Sequence, residues 1–325
     1  LTESMLEQLL LVEDLNTRFV TRDGDVAAVR DVTFDVYPGE VVGIVGETGC
    51  GKSATVRSIL GLIRPPGEIT SGKVIFKDRD LLQATPRDLR KIRGRDIGFV
   101  TQHPWGALNP ILTIGEQFHK VLRAHIKTRI EDSKRKAEAA LEQLEVPSPK
   151  RVVDGYAHEL SGGMAQRVVI AMAMALNPEL IIADEPTTAL DLTVQRDILD
   201  LIQGLVASER TAMLLVTHDL GVVAQYCKKV IVMYAGTVVE SGLVEEVFKI
   251  PQHPYTRALL ASTPQPGQPL VPIRGRVPDL IRLSPGCPYV DRCESSETDC
   301  FKERPTLREI SQQRNVSCHF PLNRH

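Results

Sequence analysis

Val41-Val42-Gly43-Ile44-Val45-Gly46-Glu47-Thr48-Gly49-Cys50-Gly51-Lys52-Ser53 runs from an unbroken apolar stretch into a glycine-rich turn closed by lysine and serine. Val41 to Val45 is short and β-rich, the pattern of a strand buried on both faces. Ala54 to Leu62 then carries a helical pattern. Between strand and helix, G-x-x-x-x-G-K-[ST] has a physical logic. Glycines let the backbone curl so that successive N–H groups face inward, and the helix N-terminus adds partial positive charge. Lys52 would reach the β/γ-phosphates, and the Ser53 hydroxyl would meet Mg²⁺. Gly46, Glu47, Thr48, Gly49, Cys50, Gly51, Lys52 and Ser53 are therefore the candidate phosphate cradle.

Working outward, Leu180-Ile181-Ile182-Ala183 is a second buried strand pattern, and it delivers Asp184-Glu185 to its C-terminal end. Ligands bind at that edge of open α/β sheets. Asp184 suits a Mg²⁺ ligand acting through water, and Glu185 can polarise a water for attack on phosphate. Leu160-Ser161-Gly162-Gly163-Met164-Ala165-Gln166 opens a helix continuing through Val168 to Leu176, with Ser161 as N-cap and the paired glycines exposing amides. Met213 to Val216 is a further strand, and Val194 to Leu205 a further helix. The alternation argues for an α/β core. Val32 to Tyr37 and Gly72 to Lys77 read instead as strands of an antiparallel accessory sheet. Residues Thr101 to Ala157 are helical, Ile130 to Leu144 especially.

The 325 residues suit roughly two domains. Thirty-nine Lys+Arg against 41 Asp+Glu leave a net charge of −2, so no basic surplus advertises nucleic acid. The longest clean apolar run, Val168 to Leu176, falls far short of the ~20 residues of a membrane-spanning helix. Leu1 to Glu7 lacks the basic start of a secretory signal, which leads us to expect a chain held in the cytosol or attached to something there. Eleven of the 21 prolines and four of the six cysteines lie from Pro251 onward. That tail reads as a small, loop-rich appendix in need of a staple. Cys227 reads as core filler.

Taken together, Gly46 to Ser53, Leu160 to Gln166, Asp184-Glu185, the following Pro186-Thr187-Thr188-Ala189-Leu190-Asp191 and Thr217-His218-Asp219 occur in the order found in ATP-binding cassette ATPases. The resemblance spans about residues 8 to 245. It implies an α/β fold with a P-loop NTPase (RecA-like) core, an antiparallel β accessory sheet, a helical signature subdomain and a small, loop-rich, Cys-bearing C-terminal extension. It implies ATP and Mg²⁺ as cofactors. It makes Glu185 the hydrolytic base, Gln102 a sensor of Mg²⁺ and γ-phosphate, and His218 a γ-phosphate contact; Ser53, Gln102 and Asp184 would serve Mg²⁺. Asp191 would communicate across a dimer in which Ser161 and Gly163 of one subunit close over ATP held by the other. Phe19 is the candidate adenine-stacking aromatic, with an ordinary strand phenylalanine as the alternative.

His253-Pro254-Tyr255-Thr256-Arg257-Ala258-Leu259-Leu260 and Pro264 are similar to the extension of dipeptide and oligopeptide importer ATPases, as are Asn109-Pro110 and the block from Ala183 to Asp191. We expect a nucleotide-binding domain over 8–250, with its helical subdomain at about 103–170, and an extension over 251–325. His103-Pro104-Trp105 departs from the usual acidic residue before proline, and Ala165 stands where a basic residue is common. Trp105 either lines the groove facing a membrane partner or fills the helical subdomain. Cys287, Cys293, Cys300 and Cys318 are separated by five, six and seventeen residues. A reducing cytosol disfavours disulfides, and zinc usually takes closer pairs. The resemblance favours a [4Fe–4S] iron–sulfur cluster, with zinc and free thiols left open. The implied partners are a second cassette (identical or paralogous), two transmembrane permeases and an extracytoplasmic solute-binding protein, at the cytoplasmic face of the inner membrane. Peptides are the expected solute, with nickel, glutathione, opines or sugars as alternatives. A soluble cassette ATPase would usually carry two cassettes or a long coiled coil, and a P-loop kinase would have no use for Leu160 to Gln166.

Overall fold

The computed structural model describes residues 8–187, 191–264 and 271–322. Leu1 to Glu7 and Thr188-Ala189-Leu190 of the block before Asp191 lie outside the described residues. Among the described residues the strands, in chain order, are β1 (Leu10–Thr21), β2 (Gly24–Val36), β3 (Val41–Val45), β4 (Gly67–Phe76), β5 (Arg79–Asp80), β6 (Ile97–Val100), β7 (Leu180–Asp184), β8 (Ala212–Val216), β9 (Lys229–Tyr234), β10 (Thr237–Leu243), β11 (Arg308–Ser311) and β12 (Arg314–Val316). The chain forms two compact units. One comprises Tyr37–Glu40 and Ala84–Leu215, and the other Gln8–Val36, Val41–Gln83 and the described residues from Val216 on.

In the second unit, β3 and β9 pair in parallel, Val42 opposite Lys229 and Val45 opposite Val232. Every residue of β9 is buried, as expected of a strand covered on both faces. The hairpin turn Ala235-Gly236, with φ of 48° and 81°, returns the chain as antiparallel β10. β12 then pairs with β10, and β11 with β12. The tail is thus more than a loop-rich appendix: it supplies two strands to the sheet.

The accessory sheet has the order β2-β1-β4-β5. Its strands alternate buried and half-exposed residues, the mark of one face on a core. The alternation slips between Val12 and Leu15, where Asp14 adopts a left-handed φ of 45° and its amide donates to Thr33 Oγ1 at 2.9 Å. A bulge of this kind bends the strand. Thr17 Oγ1 lies 2.7 Å from Ser58 Oγ, tying β1 to the helix Lys52–Ile59.

In the first unit, β6 and β7 are parallel, with Ile97 opposite Leu180 and Val100 opposite Ala183. The amide of Ala212 donates to Glu179 O, bringing in β8. The segment read as helical contains the helices Pro104–Ala107, Ile114–Arg123, Ile130–Gln143 and Pro149–Asp154. Thr113 and Glu116 form a reciprocal capping box that starts the helix Ile114–Arg123. That helix buries Ile114, Phe118 and Leu122, and Ile130–Gln143 buries Ser133, Ala137 and Leu141. Both sets follow i, i+4 spacing, and each large apolar side chain so buried contributes about 1.5–3 kcal/mol. Helix Gly162–Met174 buries most of its surface, as its apolar run requires. Trp105 is 48% exposed, so the reading in which it fills this subdomain does not hold. Among the described residues no helix is long and apolar enough to cross a membrane.

Candidate functional site

The phosphate loop belongs to the second unit. β3 is followed by Gly46, whose φ is 150°; a Cβ there would lie 2.2 Å from Met233 O. Gly51, with φ 103°, would bring a Cβ to 2.3 Å from Ala28 O. Backbone closes on backbone at both positions, so only glycine fits. The Gly236 amide donates to Cys50 O at 2.9 Å, pinning the loop to the β9–β10 turn. Lys52 is buried, and its ammonium donates to Gly46 O at 2.8 Å and Glu47 O at 3.2 Å. Thr48 and Gly49 are exposed at the crest, and Ser53 is half-buried at the start of the helix. Cys50 is buried, which pushes its thiol up and leaves its backbone as the group in use. Phe19 lies on β1 with its ring against Gly67: a Cβ on Gly67 would meet Phe19 Cε1 at 2.6 Å. His218 is exposed just beyond β8, ahead of Asp219, which caps the helix Leu220–Tyr226.

The acidic pair belongs to the first unit. Asp184, 3% exposed, ends β7 as a buried carboxyl. Glu185 follows with φ 48°, a conformation that side-chain-bearing residues hold only when their surroundings impose it. The parallel register of β6 and β7 sets the segments after Val100 and Ala183 side by side. Gln102 Nε2 accordingly donates to Glu185 Oε2 at 3.0 Å. Oxygen donors of this kind, carboxylate and amide carbonyl, suit a hard cation such as Mg²⁺. Ser161 caps the helix Gly162–Met174, its hydroxyl accepting from the Met164 amide at 3.3 Å. Asp191 likewise caps Leu192–Glu209, accepting from the Val194 amide at 3.0 Å. A Cβ on Gly163 would press on Val194 Cγ1 at 3.0 Å, which keeps that position small.

The tail cysteines require a correction. Cys287, Cys293, Cys300 and Cys318 line one pocket together with His253, Tyr289 and Phe320. Among the described residues, however, no group of three or more His, Cys, Asp or Glu side chains is arranged to hold a metal ion. The iron–sulfur expectation, [4Fe–4S] on these four cysteines, is therefore overturned, and zinc fares no better. All four are free thiols. Burial pushes Cys287 up to about 12 and Cys318 up to about 11, and raises Cys293. Such surroundings favour the neutral thiol, whereas metal ligation needs the thiolate.

Three residues escaped the sequence reading. Arg292 makes a two-pronged ion pair with Glu47 of the phosphate loop, at 2.7 and 3.1 Å. Tyr255 Oη accepts from the Glu47 amide at 2.9 Å. Glu240, fully buried, accepts from the Gln252 and His253 amides and from Arg314 Nη2, each at 2.9 Å. Tyr255 falls in the stretch His253 to Leu260 that resembles the importer extension, but nothing local marks it or Arg292 as a partner of the loop, or Glu240 as a buried carboxylate.

Residues 29–188 match the ABC transporter family, and residues 239–300 match the C-terminal region of oligopeptide/dipeptide transporters. The chain is 43% identical over 317 residues to the dipeptide transport ATP-binding protein DppD of Bacillus subtilis, covering 96% of this chain and 95% of that protein. It is 43% identical over 314 residues to the oligopeptide transport ATP-binding protein OppD of the same organism, covering 95% and 88%. Among solved structures it is similar to the dimeric ATP-binding cassette MJ0796 in a post-hydrolysis state with ADP and Pi, at a TM-score of 0.66 and 29% identity over 72% of this chain and 98% of that one. A phosphate loop, a strand-borne acidic pair and two relatives matched over almost their whole length converge on one conclusion: the chain belongs to the ABC transporter family, as an ATP-binding and ATP-hydrolysing subunit.

Proposed function

We propose that this subunit powers the import of dipeptides and oligopeptides. The observation that carries the peptide reading is the match of residues 239–300 to the oligopeptide/dipeptide transporter C-terminal region behind a full cassette. The functional boundaries are a nucleotide-binding domain over 8–250, with a helical subdomain at about 103–170, and an extension over 251–325. The subunit works as a dimer with an identical or paralogous cassette. It sits peripherally at the cytoplasmic face of the membrane, against two permeases fed by an extracytoplasmic solute-binding protein. Exposed Trp105 and Ile111, 48% and 80% accessible in the helical subdomain, support that subdomain as the permease-facing side.

In the proposed site, amides from Gly46 to Ser53 and the Lys52 ammonium bind the triphosphate, and Phe19 stacks on adenine. Ser53, Asp184 and Gln102 hold Mg²⁺, which supplies charge neutralisation for the phosphates when bound. The Glu185 carboxylate takes a proton from the attacking water, and its hydrogen bond from Gln102 fixes where that oxygen points. His218 contacts the γ-phosphate. Ser161 and Gly163 cap the triphosphate of the opposite subunit, and Asp191 relays between subunits. ATP favours the closed pair of cassettes over the open one, and that differential affinity drives the membrane partners.

Glu185→Gln tests the assignment of the base. The variant is expected to bind ATP, to lose at least about a hundredfold in turnover, and to accumulate as an ATP-bound dimer on size exclusion. Hydrolysis at the unaltered rate would show that the proton goes elsewhere.

A further inference from the structure

A carboxylate is an unexpected neighbour for a site built to attract phosphates, yet Glu47 stands inside the loop. Its side chain is 24% exposed and lies in the fork of Arg292, whose own side chain is 4% exposed. Arg292 cannot follow Glu47 elsewhere. Its Nε donates to Arg274 O at 2.7 Å, its Nη1 also reaches Tyr234 Oη at 3.2 Å, and its guanidinium sits 5.7 and 5.8 Å from the Tyr234 and Tyr289 rings. Planar, two-pronged pairing of this kind fixes both position and orientation. A second contact acts on the same residue: the Glu47 amide donates to Tyr255 Oη, so this N–H is committed to the extension. Tyr234, Tyr255 and Tyr289 pack on one another at 4.5 to 5.4 Å between ring centres, backing both contacts. Arg292 and Tyr255 are 245 and 208 residues from Glu47 in sequence, and both come from the segment after Pro251.

We propose that Arg292 is a positioning residue for ATP: by neutralising Glu47 and holding it against the cysteine-bearing segment, it keeps that carboxylate from opposing the triphosphate. The affinity of the phosphate loop then depends on the docked C-terminal extension. This inference rests on reading Gly46 to Ser53 as the ATP site. The interaction is electrostatic in kind, so its loss should appear in nucleotide binding more than in the chemical step. It should also disappear once Glu47 no longer carries charge.

The test is MgATP binding by calorimetry on the full chain, with steady-state hydrolysis alongside. Arg292→Gln keeps most of the side-chain volume without the charge, and is expected to weaken MgATP binding about tenfold at low salt. Turnover at saturating ATP should stay within about twofold, so KM rises while kcat holds. Adding Glu47→Gln to that variant should return the affinity to within about threefold of Glu47→Gln alone. Arg292→Lys, which retains the charge but not the fork, should fall between. Native affinity in Arg292→Gln overturns the proposal, as does a double variant no better than the single one. If Arg292→Gln fails to fold and Glu47→Gln does not rescue it, Arg292 is a packing residue and the proposal is again overturned. Failure of the unaltered chain to bind MgATP would instead refute the assignment of the loop.

Discussion

Glu240→Ala removes the carboxylate that fastens the extension to β10. In the native chain that carboxylate is fully buried and accepts three hydrogen bonds of 2.9 Å, from Gln252 N, His253 N and Arg314 Nη2. The substitution leaves a guanidinium and two amides in a site closed to water. Breaking a buried ion pair by deleting one partner costs about 3–5 kcal/mol. Arg314 keeps a second acceptor, the Ile250 carbonyl, which argues for the lower end, about 3 kcal/mol. A chain of two units has no single unfolding midpoint from which to read such a loss, so the assay is native-state hydrogen exchange at Gln252 and His253. A local cost of that size should speed exchange at these amides by roughly 150-fold. Glu240→Gln, which retains one carbonyl acceptor, should give a smaller acceleration. Less than about a threefold change in Glu240→Ala would refute the account of Glu240 as the fastener.

Burial pushes His253 down to about 3 from 6.5, and its Nδ1 accepts from the Tyr255 amide, so the folded chain holds the ring neutral. The unfolded chain binds a proton there below pH 6.5, so stability should fall as pH drops from 6.5 toward 3, by up to about 1.4 kcal/mol per unit. Replacing His253 with Asn should flatten that acid limb in native-state hydrogen exchange across the helix Pro254–Ala261, corrected for intrinsic rates, and an unchanged limb would refute the assignment. Under native conditions iodoacetamide should label the half-buried Cys293 and Cys318 before the buried Cys50 and Cys227, the latter pushed up to about 12. Cys50 labelling first, read by peptide mass, would refute the burial argument.

The parts of the molecule that were legible in the sequence are those whose signal is local. Val41 to Val45, Leu180 to Ala183 and Met213 to Val216 are short apolar runs, and they lie in β3, β7 and β8. The Gln102–Glu185 contact was not legible, because it depends on the parallel pairing of β6 with β7, which no local pattern reveals. β1 was not legible, since the bulge at Asp14 breaks its alternation partway along. β11 is exposed throughout and β12 is three residues long, too little pattern for a periodicity argument. Glu240 reads as a surface residue on any composition scale, and the groups that make its burial tolerable, Arg314 and the Gln252 and His253 amides, lie 74, 12 and 13 residues away. For the tail cysteines the resemblance was the misleading signal: it favoured a cluster, whereas burial raises the thiols of Cys287, Cys293 and Cys318 and so favours their neutral form.

The pairing of β12 with β10 joins Glu240 to Val316 across a long stretch of chain. On a ribosome adding about 5–20 residues each second, β12 emerges roughly 4–15 s after β10. For that interval one margin of the sheet carries unmet N–H and C=O groups that a neighbouring nascent chain could capture. Synthesis speed through this last stretch therefore sets how long that margin stays open.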